Sequence, residues 1–200
     1  MKNKKQPVIR VAIAERDQAI REAVCEKISN TVDFEIVIEA DNGEELITRL
    51  KLKKNVALPD ICVINVTMHG NKDGFETLKE IKDTWPEMRV LIFTAIENEH
   101  TVVDMVRNGA DGYLLKKAHF AELITALRKI FETGHYDSDI ATKSLIHAAK
   151  KYGDRLPEIN ERESEFLSLL AKGHSYKEIA KIMYKSPALW KIITIRWQRN

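Results

Sequence analysis

The sequence has few cysteines and no long hydrophobic run, and both features narrow the classes of protein it can belong to. Its two cysteines, Cys25 and Cys62, cannot by themselves build a disulfide framework or a four-ligand metal site. Both lie in apolar stretches, so we expect small buried side chains in a protein of the reducing cytosol. No segment approaches the roughly 18 apolar residues of a membrane helix, and residues 1–7 lack the apolar core of a signal peptide. The sequence therefore predicts a cytoplasmic protein without a membrane partner.

A strong excess of charge of one sign is also missing. The 200 residues carry a formal net charge of +2, with 44% hydrophobic and 31% charged residues, which is ordinary for a folded protein and argues against global disorder. Residues 151–200 contain ten lysines and arginines and six acidic residues, whereas the first 150 residues contain 22 and 24. This mild split is compatible with an acidic signalling domain followed by a basic domain that faces nucleic acid.

Short apolar segments rich in β-branched residues alternate with helical patterns over the first 130 residues. The segments predict five strands near residues 8–14, 34–38, 61–64, 90–93 and 112–115. Each is followed by apolar residues at helical spacing, such as Ile20, Val24 and Ile28 after the first. Five such units predict an α/β fold, a five-stranded doubly wound parallel sheet covered by helices on both faces.

Sites in such sheets form beyond the carboxyl ends of the strands. The residues that follow the strands are therefore the candidate site residues of this chain. They are Glu15, Arg16 and Asp17 after the first strand, Asn65 after the third, Thr94 after the fourth and Lys116 after the fifth.

Four segments at these strand ends resemble the receiver domain of bacterial response regulators. They are IAERD (13–17), PDICVINVTM (59–68), FTA (93–95) and GADGYLLK (109–116). The resemblance covers about residues 8–133, which we expect to form a flavodoxin-like receiver domain. It implies a pocket in which an aspartate accepts a phosphoryl group beside Mg²⁺, acidic residues, a Thr or Ser, and a Lys.

The chain departs from this pattern at the acceptor itself. Thr94 and Lys116 match the family, but Asn65 stands at the acceptor position and Glu15-Arg16 at the acid pair. An amide is a very poor nucleophile, and Mg²⁺ prefers oxygen ligands that include carboxylates. We therefore expect no phosphorylation of Asn65, no Mg²⁺ or other cofactor, and no enzymatic activity.

The altered pocket allows a charge balance without metal, in which Arg16 pairs with Glu15 and Lys116 donates to the carbonyl oxygen of Asn65. The alternative is that these residues are tolerated variation in a strand-end pocket.

Asp17 either becomes a metal ligand through a register shift or, more naturally, caps the first helix. His69, in a loop altered by the extra residue Asn71, is expected to be an exposed histidine, since it has no partner at ligand spacing.

Tyr113 matches the aromatic position that, in the family, changes rotamer together with the residue at Thr94. It is equally compatible with an ordinary amphipathic residue at a strand edge.

Residues 134–155 are expected to link two domains. Part of this stretch is expected to be helical, because its apolar residues Ile140, Leu145, Ile146 and Ala149 are roughly in phase.

Helices and turns follow one another in the last part of the chain in the order of a helix-turn-helix domain. Residues 160–163 and 175–178 have the spacing of capping boxes, and Ser186-Pro187 has the pattern of a third helix start. The segments RE (162–163), LLAKG (169–173) and YKEIA (176–180) resemble the LuxR-type output domain. We therefore expect a small all-α domain over residues 156–200, with DNA as its partner; a three-helix domain that does not bind DNA is the alternative. The candidate DNA-contacting residues are Tyr176, Lys177, Lys185, Ser186, Lys191 and Arg196.

The segment that should form the recognition helix does not continue this resemblance. Residues 188–197 are apolar nearly all round, whereas a helix that reads base edges needs polar side chains. Shifted by one nucleotide, the codons of this segment permit Arg-Thr-Val-Glu-Asn-His, which resembles the family's recognition helix. We therefore hypothesise an output domain truncated or frameshifted after Pro187; a native divergent tail is the alternative.

Together these patterns predict an atypical transcriptional response regulator of a two-component system that works without a phosphorylated aspartate. Its expected partners are DNA, if the output domain is intact, a second copy bound through the receiver, and a sensor kinase or another regulator. The alternative is a protein-interaction module in which only the receiver works.

Overall fold

The apolar segments form the strands of one parallel sheet in the computed structural model, which describes residues 7–53, 58–70, 72–152, 169 and 176–183. Consecutive side chains of β1 and β3 point to opposite faces of the sheet, and both sets are buried because helices cover each face. The strand order is β2-β1-β3-β4-β5. The strands are β1 (Ile9–Ala14), β2 (Phe34–Ala40), β3 (Ile61–Ile64), β4 (Arg89–Thr94) and β5 (Gly112–Leu115).

Helices cover both faces of this sheet. The apolar sides of α1 and α5 pack on one face, and those of α2, α3 and α4 pack on the other. This arrangement confirms the predicted doubly wound α/β fold. The helices are α1 (Gln18–Ser29), α2 (Gly43–Leu52), α3 (Gly74–Thr84), α4 (Glu99–Arg107), α5 (Phe120–Thr133), α6 (Asp139–Tyr152) and α7 (Tyr176–Ile182).

The chain that leaves α5 stays against the sheet. Gly134 ends α5 in the left-handed conformation, with φ of 84°, which glycine adopts without a steric penalty. Tyr136 then forms a parallel bridge with Gly112, and its backbone N–H donates to the oxygen of Asp111 at 2.8 Å. The next helix, α6, packs against α4 and β5. Residues 134–148 therefore line the β5 edge, while the predicted domain boundaries stay a prediction.

The face by which α6 packs differs from the predicted one. Ile146, expected on the apolar face, is exposed, whereas Leu145 is buried as expected and Ile140 is partly buried. The prediction for Ile146 is wrong because the helix buries small side chains against α4 instead, and Ala149 lies outside the residues whose side chains are described. The buried side chains are Ala141, Ser144, Leu145 and Ala148.

Both cysteines are free and buried, as expected. Among the described residues, no helix is long and apolar enough to cross a membrane. In the C-terminal part, the predicted short helix after residue 175 is present as α7. Of the other helices predicted there, Leu169 is the one described residue, and it is helical.

Candidate functional site: a pocket at the strand ends

Parallel strand ends bring four of the predicted site residues to one edge of the sheet. The backbone N–H of Asn65 donates to the oxygen of Ala14 at 3.1 Å, and that of Lys116 donates to the oxygen of Thr94 at 2.8 Å. Glu15 follows Ala14 directly. Hydrogen bonds between neighbouring strand ends therefore fix the backbone from which these side chains enter the pocket.

The Glu15 carboxylate lies at the centre of the pocket, and its side chain is only 5% exposed. Its Oε2 is 2.5 Å from Nζ of Lys116. Its Oε1 accepts hydrogen bonds from Nδ2 of Asn65 at 3.2 Å and from the backbone N–H of Asp17 at 2.9 Å. Both oxygens thus have donors, and one of them is a cation that balances the charge.

Arg16 does not form the expected ion pair with Glu15. Its side chain is exposed, and it makes no ion pair within the part of the chain that the structure describes. Arg16 lies in the bend that follows β1, where its side chain faces solvent while that of Glu15 is buried. Lys116 takes the place expected for Arg16 and pairs with Glu15. The expected hydrogen bond from Lys116 to the amide oxygen of Asn65 is therefore wrong, because a carboxylate is a stronger acceptor than an amide.

Asn65 is buried between Glu15 and the loop that follows β3. Its Oδ1 accepts a long hydrogen bond of 3.4 Å from the backbone N–H of Thr67. A Cβ atom at Gly74, the first residue of α3, would lie 2.4 Å from the backbone oxygen of Asn65. Only glycine allows α3 to begin this close to the pocket.

Thr94 and Tyr113 meet at Ile96, a residue that the sequence did not single out. The Thr94 hydroxyl accepts from the backbone N–H of Ile96 at 3.3 Å, and the Tyr113 hydroxyl donates to its oxygen at 2.7 Å. The Tyr113 side chain is fully buried, and this burial raises the pKa of its phenol. No sequence signal indicates this link, because both hydrogen bonds end on backbone atoms of Ile96.

Asp17 and His69 adopt their simpler predicted roles. Asp17 caps α1 by accepting from the backbone N–H of Ile20 at 3.1 Å, and His69 is exposed. Arg21, one turn after the cap, donates to the backbone oxygen of Glu15 at 2.7 Å. Sequence reasoning missed this contact, although an arginine one helical turn beyond the cap can reach the strand end.

The donor set of the pocket does not fit Mg²⁺. Glu15 is the one carboxylate among the described residues that enters it, and that carboxylate is already paired with Lys116. Asp17 is turned to the helix cap. Mg²⁺ requires near-octahedral oxygen ligands and commonly one or two carboxylates, so a cation here would have to displace Lys116.

The candidate DNA-contacting residues cannot be compared with the structure in the same way. Tyr176 and Lys177 lie on α7, but their side chains are outside the described residues. The other four candidates, Lys185, Ser186, Lys191 and Arg196, lie outside them altogether. Their role stays a prediction.

Comparison with known proteins matches residues 11–128 to the response regulator receiver domain. The chain is similar to the oxygen regulatory protein NreC of Staphylococcus aureus, with 28% identity over 89% of this chain and 84% of that protein. It is similar to a LuxR-family two-component response regulator from Aurantimonas sp. SI85-9A1, with 25% identity, a TM-score of 0.62, and coverage of 70% and 97%. The RcsB response regulator of Salmonella typhimurium has a TM-score of 0.63 at 23% identity, with coverage of 96% and 89%.

Proposed function

Because the chain belongs to the response regulator receiver domain family, we propose that it is a DNA-binding transcriptional regulator whose receiver acts without a phosphorylated aspartate. It is a regulator rather than an enzyme. Its output depends on contacts of the folded receiver, with a second copy, a sensor kinase or another regulator, rather than on transfer of a phosphoryl group.

The hydrogen bond between Asn65 and Glu15 carries this proposal. The amide of Asn65 occupies the acceptor position, and its Nδ2 donates to a carboxylate whose other oxygen is paired with Lys116. An acyl phosphate forms when a carboxylate oxygen attacks phosphorus and the leaving group departs from it. Asn65 offers a neutral amide oxygen for that attack, and Lys116 already neutralises the remaining carboxylate.

Incubation of the purified chain with acetyl phosphate and Mg²⁺ tests the receiver part of the proposal. We expect intact mass spectrometry to show no acid-labile phosphate adduct on the unaltered chain. The double variant Arg16→Asp/Asn65→Asp places a carboxylate at the acceptor position, replaces the exposed cation beside Glu15 with a second acid, and leaves Thr94 and Lys116 in place, so it should gain the adduct. The matched control, Arg16→Asp alone, keeps the amide and should stay unmodified.

An adduct on the unaltered chain would overturn the proposal, because another carboxylate, such as Asp17, would then be the acceptor. An adduct on Arg16→Asp alone would have the same meaning. If the double variant also stays unmodified, either the loop around His69 holds the new carboxylate at position 65 out of line or the side chain at position 16 stays turned away from the pocket, as that of Arg16 is. The lack of phosphorylation then has a second cause in addition to Asn65.

The DNA-binding part of the proposal rests first on the similarity of the C-terminal segments to LuxR-type output domains, within which α7 lies. It rests also on RcsB, which forms dimers bound to DNA in one matched structure. The apolar run at residues 188–197 favours the second candidate, a receiver-only interaction module. Gel-shift titrations at several salt concentrations separate the two. A regulator that contacts phosphates should lose affinity steeply as salt rises, whereas the interaction module should show little affinity at any salt concentration.

A further inference from the structure

The ion pair between Glu15 and Lys116 joins two strands that are not neighbours in the sheet. Glu15 follows the end of β1, and Lys116 follows the end of β5. The strand order places β3 and β4 between them, so that β1 and β5 are about 14 Å apart at the usual spacing of parallel strands. Since Oε2 of Glu15 lies 2.5 Å from Nζ of Lys116, the two long side chains meet across the ends of β3 and β4.

This pair leaves the pocket electrically neutral. Glu15 carries one negative charge and Lys116 one positive charge, and the amide of Asn65 beside them is neutral. The two charged side chains are only 5% and 15% exposed, so water screens them little. A divalent cation added to this network would leave two positive charges without a counter-ion in a largely buried site, which costs free energy.

The orientation of Asn65 also suits the ion pair rather than a metal ion. Its Nδ2 donates to Oε1 of Glu15, so the amide presents hydrogens to the centre of the pocket. Its Oδ1 is turned to the backbone N–H of Thr67. A hard cation needs oxygen ligands, and the oxygen of this amide points elsewhere. The hydrogen bonds of the network are therefore complete without a metal ion.

Backbone hydrogen bonds hold both partners of the pair in place. The N–H of Glu15 donates to the oxygen of Ala40 at 3.1 Å, and the oxygen of Glu15 accepts from Arg21 of α1 at 2.7 Å. On the other side, the N–H of Lys116 donates to the oxygen of Thr94 at 2.8 Å. The carboxylate and the ammonium group therefore start from fixed backbone positions, which lowers the conformational entropy lost when the two side chains meet.

We propose that the ammonium group of Lys116 is the permanent counter-ion of this pocket, in place of a divalent cation, and that it ties the carboxyl ends of β1 and β5 together. The pocket then keeps one arrangement whatever the concentrations of Mg²⁺ and inorganic phosphate, and neither is a signal for this receiver. The inference rests on the proposed function in one respect, the unphosphorylated amide of Asn65. Its test reads the stability and hydrogen exchange of the fold, whereas the test of the proposed function reads a phosphate adduct.

Hydrogen–deuterium exchange of the full chain tests the link between the two strands. Lys116→Met keeps the aliphatic part of the side chain and leaves Glu15 buried without a cation. We expect exchange about tenfold faster or more in peptides spanning residues 115–118 and also, across the sheet, in those spanning residues 14–17. The matched control Lys117→Met removes the neighbouring lysine, whose side chain is 68% exposed, and should exchange like the unaltered chain. The double variant Glu15→Gln/Lys116→Met has no buried charge in the pocket and should exchange more slowly there than Lys116→Met.

Faster exchange of residues 115–118 in Lys116→Met with unchanged exchange of residues 14–17 would overturn the link. A double variant that exchanges no more slowly than Lys116→Met would also overturn it, since Lys116 would then act through packing rather than charge.

Thermal unfolding of the unaltered chain keeps the inference falsifiable if Lys116→Met fails to fold. The midpoint should be the same in EDTA, in MgCl₂, and in MgCl₂ with inorganic phosphate, all at equal ionic strength. A midpoint that rises with MgCl₂ would overturn the inference, because a divalent cation would then bind the folded chain. Such a rise without a phosphate adduct would leave the proposed function standing, whereas an adduct on the unaltered chain would overturn the proposed function itself.

Discussion

Replacing Lys82 with methionine should destabilise the end of the sheet opposite the pocket. The ammonium group of Lys82 lies 2.6 Å from Oδ2 of Asp111 and donates to the backbone oxygen of Met88 at 2.8 Å. Oδ2 also accepts from the N–H of Val90 at 2.8 Å, while Oδ1 has no hydrogen-bond partner among the described residues. The side chains of Lys82 and Asp111 are 7% and 1% exposed, so water cannot replace the lost cation.

The expected size of the effect follows from this burial. Without Lys82, the Asp111 carboxylate keeps a single backbone donor in an apolar site. Removal of one partner of a buried ion pair costs about 3–5 kcal/mol, since it leaves an uncompensated charge. At a urea m-value of about 2 kcal/mol/M, the unfolding midpoint falls by about 1.5–2.5 M.

Urea unfolding followed by circular dichroism measures this loss. The matched control is Lys79→Met, which removes an exposed lysine of the same helix and should change the free energy of unfolding by about 0.5 kcal/mol or less. The double variant Lys82→Met/Asp111→Asn leaves no buried charge and should recover most of the loss. A Lys82→Met midpoint that matches that of Lys79→Met, or a double variant no better than Lys82→Met, would refute the reasoning.

Three further predictions concern other parts of the fold. Gly74→Ala should lower the free energy of unfolding by about 1–3 kcal/mol in thermal denaturation, because the new Cβ lies 2.4 Å from a backbone oxygen of the β3–α3 loop. Burial raises the pKa of Cys25 and Cys62 to about 12, so neither thiol should react with a disulfide reagent at mildly alkaline pH until urea unfolds the chain; rapid labelling of the folded protein would contradict this. The Arg128 guanidinium holds the pKa of Asp33 below its ordinary value, so their ion pair stabilises the fold above the unfolded-state pKa of about 4 and is lost as pH falls through the folded-state pKa. Asp33→Asn should therefore be destabilised relative to the unaltered chain at neutral pH, with a gap that closes in acid, as urea midpoints across the pH range would show.

The strands and the helices of the sheet were predictable from sequence because each carries its own periodic signal. The segment 61–64 is apolar at every position, and the structure buries it on both faces. The alternation of such segments with helical patterns predicts a parallel sheet with helices on both faces, which is a doubly wound fold. The burying face of α6 was harder to predict, since it depends on Ala141 and Ser144, whose small side chains matter only once α4 is known to lie against them.

The membership of the pocket was predictable, and its internal pairing was not. Strand ends of a parallel sheet must converge, so Glu15, Asn65 and Lys116 were expected to meet. Which cation reaches Glu15 depends on the direction in which each side chain leaves the backbone. Arg16 is adjacent in sequence but turned outward, and Lys116 is a hundred residues away but aimed inward. The link through Ile96 uses backbone atoms, which leave no trace in side-chain patterns.

The backbone N–H and C=O groups at the free edges of the outer strands, β5 and β2, are protected from further pairing in different ways. Along β5, the bridge with Tyr136 occupies part of the edge. Along β2, Val37 is an extra residue that shifts the register against β1, and Glu35 and Glu39 are exposed beside it. An irregular, negatively charged edge discourages pairing with a strand of another molecule. At high concentration, then, neither border of the sheet should act as a template for strand exchange between copies.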